Sequence, residues 1–218
     1  MKALIIIDAQ NEFSARGKRP VPNHSDALEV IKQRAEEARR ENRPIAWVRH
    51  HNRPDESAAF VPNTWGTEFS PGLGPKPDSD REVELVKHVY GAFTGTDIGA
   101  WLKSKSVDEV LIVGFYTHGC VSTTAREAIM AGLDVHIDPN GTGACDMAHE
   151  SLGELTADEV RRSALLQLAN MGVHITPLPN AQTSQMRAGV GRLFNIANES
   201  APTRRPCRCR PQAVSRSH

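Results

Sequence analysis

The sequence predicts an α/β fold: an open parallel sheet of six strands covered by helices on both faces, in three α/β/α layers. Three observations predict it. Short apolar runs alternate with helical patterns along most of the 218 residues. The first run, residues 3–7, is almost continuously apolar, as a parallel strand buried on both faces must be. Helix and strand breakers (Pro44, Gly132, Gly172) fall between the periodic segments.

The elements follow in order. Residues 3–7 form the first strand. Residues 25–41 form a helix, because Ala27, Leu28, Ile31, Ala35 and Ala38 recur at helical spacing with charges between them. Pro44 breaks that pattern, and residues 45–48 form the second strand. Residues 49–80 are rich in proline and glycine and carry no period; Trp65 and Phe69 predict a packed lid or binding wall there. Residues 82–86 form the third strand, and Thr96-Asp97 can cap a short helix running to Leu102.

Residues 109–113 form the fourth strand, 114–119 a turn, and 121–131 a helix stopped by Gly132. The fifth strand is 133–137. Residues 156–170 are helical, with Thr156 and Glu159 spaced as a capping box. The sixth strand is 173–176, and 181–187 can form a last short helix. One domain is thus expected over 1–187. The segment 188–218 is rich in Arg, Pro and Ser and is expected to be a disordered tail, with Cys207 and Cys209 incidental to function.

Composition narrows the function. Lys+Arg and Asp+Glu balance at 26 each, so no basic field points to nucleic acid. No apolar run approaches the roughly 20 residues that cross a bilayer, and no signal peptide opens the chain. Four cysteines in a chain of this length do not make a disulfide scaffold. A cytoplasmic enzyme acting on a small molecule is the expectation, with no nucleic-acid or membrane partner.

Open parallel sheets place reactive groups at the carboxyl ends of their strands. The first strand ends at Asp8, the third at Lys87, and the turn after the fourth places Cys120 just before a helix. An acid, an amine and a thiol therefore emerge at one edge. A helix N-terminus and a nearby ammonium would favour the thiolate of Cys120. Asp8 could take its proton, and amides of the turn could hold an oxyanion.

These residues also carry a resemblance. Asp8-Ala9-Gln10-Asn11-Glu12-Phe13 resembles the D-x-Q-x-[DE]-F opening of the isochorismatase-like cysteine hydrolases. Lys87 followed by Ala92-Phe93-Thr94-Gly95-Thr96 is similar to the family's lysine segment. Val113-Gly114-Phe115-Tyr116-Thr117-His118-Gly119-Cys120-Val121, with Thr124, Ala125 and Ala128, resembles its nucleophile segment. The resemblance spans residues 2 to about 177.

The resemblance implies strand order 3-2-1-4-5-6. It implies a triad with Cys120 as nucleophile, Asp8 as general base and Lys87 supporting both. It implies a cis peptide between Phe115 and Tyr116, and an oxyanion hole from the amides of Tyr116 and Cys120. Family members are commonly dimers or tetramers, so a homodimer or homotetramer is expected. Isochorismatases proper cleave a vinyl ether without a nucleophilic cysteine, so Cys120 points to a small amide, ureide or lactam cleaved through a thioester. Nicotinamidases add a metal held by an Asp and a His just after the second strand; here those positions read His50 and Asn52. No cofactor and no catalytic metal are therefore expected, as in the branch similar to N-carbamoylsarcosine amidase and the ureidoacrylate, biuret and streptothricin hydrolases.

Gln10, Phe13, Trp65, Tyr90, Phe93 and Thr117 lie on segments leaving the reactive edge and are candidate substrate contacts. The competing readings are a metal-assisted nicotinamidase and a catalytically silent binding protein on the same fold.

Overall fold

The computed structural model describes residues 1–53 and 55–177. The short helix expected at 181–187, the tail, and Cys207 and Cys209 lie outside the described residues. Six parallel strands form the main sheet: β1 (Lys2–Ile7), β2 (Ile45–His50), β3 (Glu82–Lys87), β4 (Glu109–Phe115), β5 (Asp134–Gly143) and, last in the chain, β8 (His174–Ile175). Their order is β3-β2-β1-β4-β5-β8. This is the expected topology, with the sixth strand of the sheet carrying the label β8. The intervening β6 (Met147–His149) and β7 (Gly153–Leu155) form a separate antiparallel hairpin.

The period-two rule splits the strands between two cores. Leu4 and Ile6 face α1 (His24–Arg40), which covers them with Ala27, Leu28, Ile31, Ala35 and Ala38. Ala3, Ile5 and Ile7 face the opposite layer, where α2 (Ile98–Ser104), α3 (Ser122–Met130) and α4 (Ala157–Asn170) bring Ile98, Leu102, Ala125, Ala128 and Leu168. β1 is fully enclosed because both faces are helical, which is why its sequence cannot alternate with polar residues. The expected capping box opens α4: Thr156 accepts from the Glu159 amide, and the Glu159 carboxylate accepts from the Thr156 amide.

Four features depart from the sequence reading. β5 runs on to Gly143, with a register shift opposite Ile112 and Gly114. The β6–β7 hairpin is too short, three residues a side, to show a period. The helix after β4 is preceded by a widened π-type turn, Thr117–Val121. In the segment between β2 and β3, Ala59 and Phe60 are buried and Phe69 packs edge-on to Trp47, whereas Trp65 is 43% exposed with the Arg16 guanidinium over its ring. The segment is packed as expected, but Phe60 rather than Trp65 supplies the second anchor.

Candidate active site

The strand order decides which groups can meet. β1 and β4 are neighbours, so Asp8 and the turn holding Cys120 start side by side. β3 is separated from β1 by β2, a distance of about 9.6 Å at the usual strand spacing. Lys87 closes that gap with its four-carbon stem, and its Nζ lies 2.8 Å from Asp8 Oδ2. Both side chains are 0% exposed.

Lys87 passes over the end of β2, where His50 is its partner in register. It donates to His50 Nδ1 at 3.2 Å. His50 Nε2 lies 2.7 Å from Asn52 Oδ1, and Asn52 in turn donates to the Ala59 carbonyl at 2.7 Å. Since Nδ1 accepts from the ammonium, the proton of a neutral imidazole sits on Nε2 and points to Asn52. Burial, then the Lys87 charge, holds His50 below its ordinary pKa. The two positions expected to fail as metal ligands are thus joined in a hydrogen-bonded chain from Asp8 to the 51–60 segment.

Asp8 itself turns the chain. Its φ is +52°, in the left-handed region that non-glycine residues seldom occupy. Its amide donates to the Val48 carbonyl at 2.8 Å, and its own carbonyl accepts from the Gln10 amide at 2.7 Å. Gly114 stands beside Ile7 with φ +125°; a Cβ there would come within 1.9 Å of the Ile7 carbonyl oxygen. Only glycine lets β4 run this close to β1 directly beneath the site.

Cys120 lies in the π-type turn and is 8% exposed. Its thiol lies within electrostatic reach of the Lys87 ammonium and the Asp8 carboxylate. Lys87 acts on it in the expected direction but does not decide the outcome. Burial dominates, Lys87 opposes it, the Asp8 carboxylate reinforces it, and the thiol is pushed up to about 12. For Lys87, burial disfavours the charge, but Asp8 and Cys120 outweigh it and hold the ammonium above its ordinary value. Neutral thiol and charged ammonium are therefore the favoured forms near neutral pH. The Phe115–Tyr116 peptide is cis.

The candidate contacts separate into groups. Tyr90 is 52% exposed and stands over Gly119, its Cδ1 lying 3.6 Å from where a Cβ would be. It is at the mouth, beside Cys120. Gln10 is fully buried and donates to the His50 and Thr67 carbonyls at 3.1 and 2.9 Å while accepting from the His50 amide at 2.8 Å. Both its N–H groups are used, so it tethers the end of β1 to β2. Thr117 is buried and donates to the Gly143 carbonyl at 3.0 Å. Phe13 is buried among Phe60, Phe115 and Tyr116, with ring centroids 4.8–5.3 Å away. Phe93 packs against the core beneath α2, lining a hollow with Gly99, Leu102 and Leu133 rather than the mouth. Trp65 lies under Arg16 at the surface. An open groove of about 420 Å³ between α3, α4 and the β6–β7 hairpin holds His118, Ser122 and Arg126 but none of Asp8, Lys87 and Cys120.

Motif reading places His50 and Asn52 only at metal-ligand positions; that His50 stands in register with Lys87 follows from placing β2 between β1 and β3.

Comparison with known proteins bears on this geometry. The isochorismatase domain matches residues 2–177. A secreted isochorismatase effector, Isc1, of Verticillium dahliae is 31% identical over 168 residues, 77% of this chain and 83% of the effector. A nicotinamidase/pyrazinamidase of Mycobacterium tuberculosis is 31% identical over 158 residues, 63% of this chain and 83% of that enzyme. The crystal structure of an isochorismatase from Pseudomonas putida superposes with a TM-score of 0.74 at 27% identity, covering 81% of this chain and 87% of that one.

Proposed function

The chain belongs to the isochorismatase family of hydrolases, and on that premise we propose that it is a cysteine amidohydrolase cleaving the C–N bond of a small amide, ureide or lactam through a thioester. The observation that carries this reading is the buried contact of Asp8, Lys87 and Cys120. A thiol this far above neutrality is a poor nucleophile alone, and a buried carboxylate beside it with unfilled lone pairs is the base it needs. The amide chemistry of the mycobacterial relative agrees with this substrate class.

Asp8 takes the thiol proton as Cys120 Sγ attacks the carbonyl carbon. The oxyanion is received by the amides of Tyr116 and Cys120. The tetrahedral adduct collapses, the C–N bond breaks, and Asp8 returns its proton to the departing nitrogen. Asp8 then takes a proton from water, whose oxygen attacks the thioester, and the departing Cys120 sulfur recovers that proton. Lys87 stays charged throughout and holds Asp8 and the sulfur in place, while His50 fixes Lys87. Tyr90, at the mouth, is the substrate contact the geometry favours. A metal is not invoked, because His50 spends Nδ1 on Lys87 and Nε2 on Asn52, and Asn52 spends its amide on the Ala59 carbonyl.

The test is a panel of amides, ureides and lactams read by ammonia or amine release, with denatured-protein mass spectrometry after rapid quenching. An acyl adduct on the Cys120 peptide and no turnover by Cys120→Ser are expected. Full turnover by Cys120→Ala would overturn the proposal. We also propose that the enzyme works in the cytoplasm as a homodimer or homotetramer. Cys120, which is in no disulfide, and the exposed Met147, Leu155 and Leu166 support this. Among the described residues no helix is long and apolar enough to cross a membrane. Sedimentation as a monomer at micromolar concentration would overturn the oligomer, and recovery outside the cell the location.

A further inference from the structure

At the amino-terminal edge of the sheet, opposite the site above, β5 and β8 set two imidazoles side by side. His136 and His174 are direct partners in the parallel register. Their rings stack at 4.7 Å with 26° between planes. Asp134, two residues before His136, projects from the same face of β5. Its Oδ1 lies 3.3 Å from His174 Nε2 and its Oδ2 3.4 Å from His136 Nε2. One ligand atom from each of the three residues lies within 4.8 Å of the others.

These separations are long for charge-assisted hydrogen bonds, which favour about 2.7–2.9 Å. They match a different geometry. Nitrogen and oxygen ligands held about 2.0–2.1 Å from a tetrahedral ion stand roughly 3.3 Å from one another. We propose that Asp134, His136 and His174 form a site for a divalent transition-metal ion of the zinc type.

The donor set selects the ion class. Two imidazoles and a carboxylate suit zinc, cobalt, nickel or copper, whereas magnesium and calcium prefer oxygen alone. His136 has a supporting partner: its Nδ1 lies 3.3 Å from Thr176 Oγ1, so a proton there leaves the Nε2 lone pair for the metal. Glu109 adds an oxygen 3.0 Å from His136 Nε2; it is ion-paired with Lys2 at 2.7 Å and can stay so while water completes the coordination. The ligands sit on strands, so little ordering is needed on binding.

The site gives the ion a structural task. β8 is the edge strand, joined to β5 through only two register pairs. A metal bridging His136 and His174 clips that edge to the sheet. None of the three ligands belongs to the 48–53 stretch where family resemblance would put a metal.

The full chain is titrated with Zn²⁺ by calorimetry and with Co²⁺ by visible absorption, and melted with and without Zn²⁺. His174→Ala, Asp134→Asn and the double variant Cys207→Ser/Cys209→Ser are run alongside. His174 and Asp134 are both more than half exposed, so their substitution leaves the core intact. One equivalent of Zn²⁺ is expected to bind and raise Tm, with affinity weakened tenfold or more in His174→Ala and Asp134→Asn and unchanged in the cysteine variant. Affinity and Tm shift unaltered in His174→Ala would overturn the proposal. So would loss of binding in the cysteine variant, or no saturable binding by wild type.

Discussion

Two buried ion pairs hold the two halves of the sheet, and they are finished differently. On the β5 side, Arg34 of α1 donates from Nε to Asp138 Oδ2 at 2.9 Å, with Nη2 at 2.8 Å from the same oxygen; Asp138 Oδ1 accepts from the Asn140 amide at 3.0 Å. Arg34 also reaches Glu37 and the Thr176 carbonyl. Every group there has its partners, as a buried pair must if it serves only to hold helix to sheet. On the β1 side, Asp8 has the Lys87 ammonium and the Cys120 thiol but no well-aligned hydrogen bond to either oxygen. A buried carboxylate left short of donors is costly for stability and useful for chemistry, because it retains lone pairs for a proton. Asp138 is thus finished as part of the frame, and Asp8 is left as the proposed mechanism needs it.

The sharpest way to break this comparison is to neutralise each acid in turn. Asp8→Asn should lower kcat per folded molecule by about 10³-fold, the scale of a lost general base, on top of whatever stability is lost by stranding the buried Lys87. Asp138→Asn should cost stability alone. It strands the buried Arg34 and should cost about 3–5 kcal/mol of stability, with kcat per folded molecule within a few-fold of wild type. Equal activity losses in both variants would erase the distinction.

A smaller effect separates Lys87 from its support. His50→Ala removes the Nδ1 acceptor and should reduce kcat by about 10- to 100-fold with KM little changed, because the ammonium loses its third anchor. A mere packing role would instead show as lost stability at constant kcat. His50→Gln, which can still accept, should recover part of the loss.

The smallest effect is in pH. His24, His50 and His118 are held below the ordinary imidazole value, first by burial. The folded state therefore resists protons that the unfolded chain accepts below about pH 6.5. Stability should be complete above that pH and decline as pH falls through and below it. Denaturant unfolding at pH 7.5 and 5.5 checks this, and His50→Gln should flatten the slope. A wild type more stable at pH 5.5 would contradict the assignment of a neutral His50.

Much of this molecule was legible in its sequence because its central strands are buried on both faces. Residues 3–7, 45–48 and 109–113 each sit inside an observed strand of that kind, while 82–86, on the sheet edge, shows itself by alternating Glu with apolar residues. Cys120, Lys87 and Asp8 were legible because a parallel sheet sends its strand ends to one edge. What escaped was set by tertiary context. The positive φ of Asp8 carries no composition signal, and neither does the three-residue hairpin. Gln10 looked like a substrate contact because its backbone partners come from β2 and the 67 region, which only the fold brings near. The sequence shows the charges beside Cys120 but not the burial that outweighs them.

The reach of Lys87 across β2 also bears on folding. The site needs β1, β2 and β3 paired in sequence-distant register, plus the turn after β4 docked against them. None of these contacts is local, and non-local pairing is the slow part of assembling such sheets. A chain that has formed its helices and one strand pair holds no Asp8–Lys87–Cys120 cluster at all. Regained turnover after dilution from denaturant would therefore time the closing of the central sheet, lagging behind the recovery of helical circular dichroism.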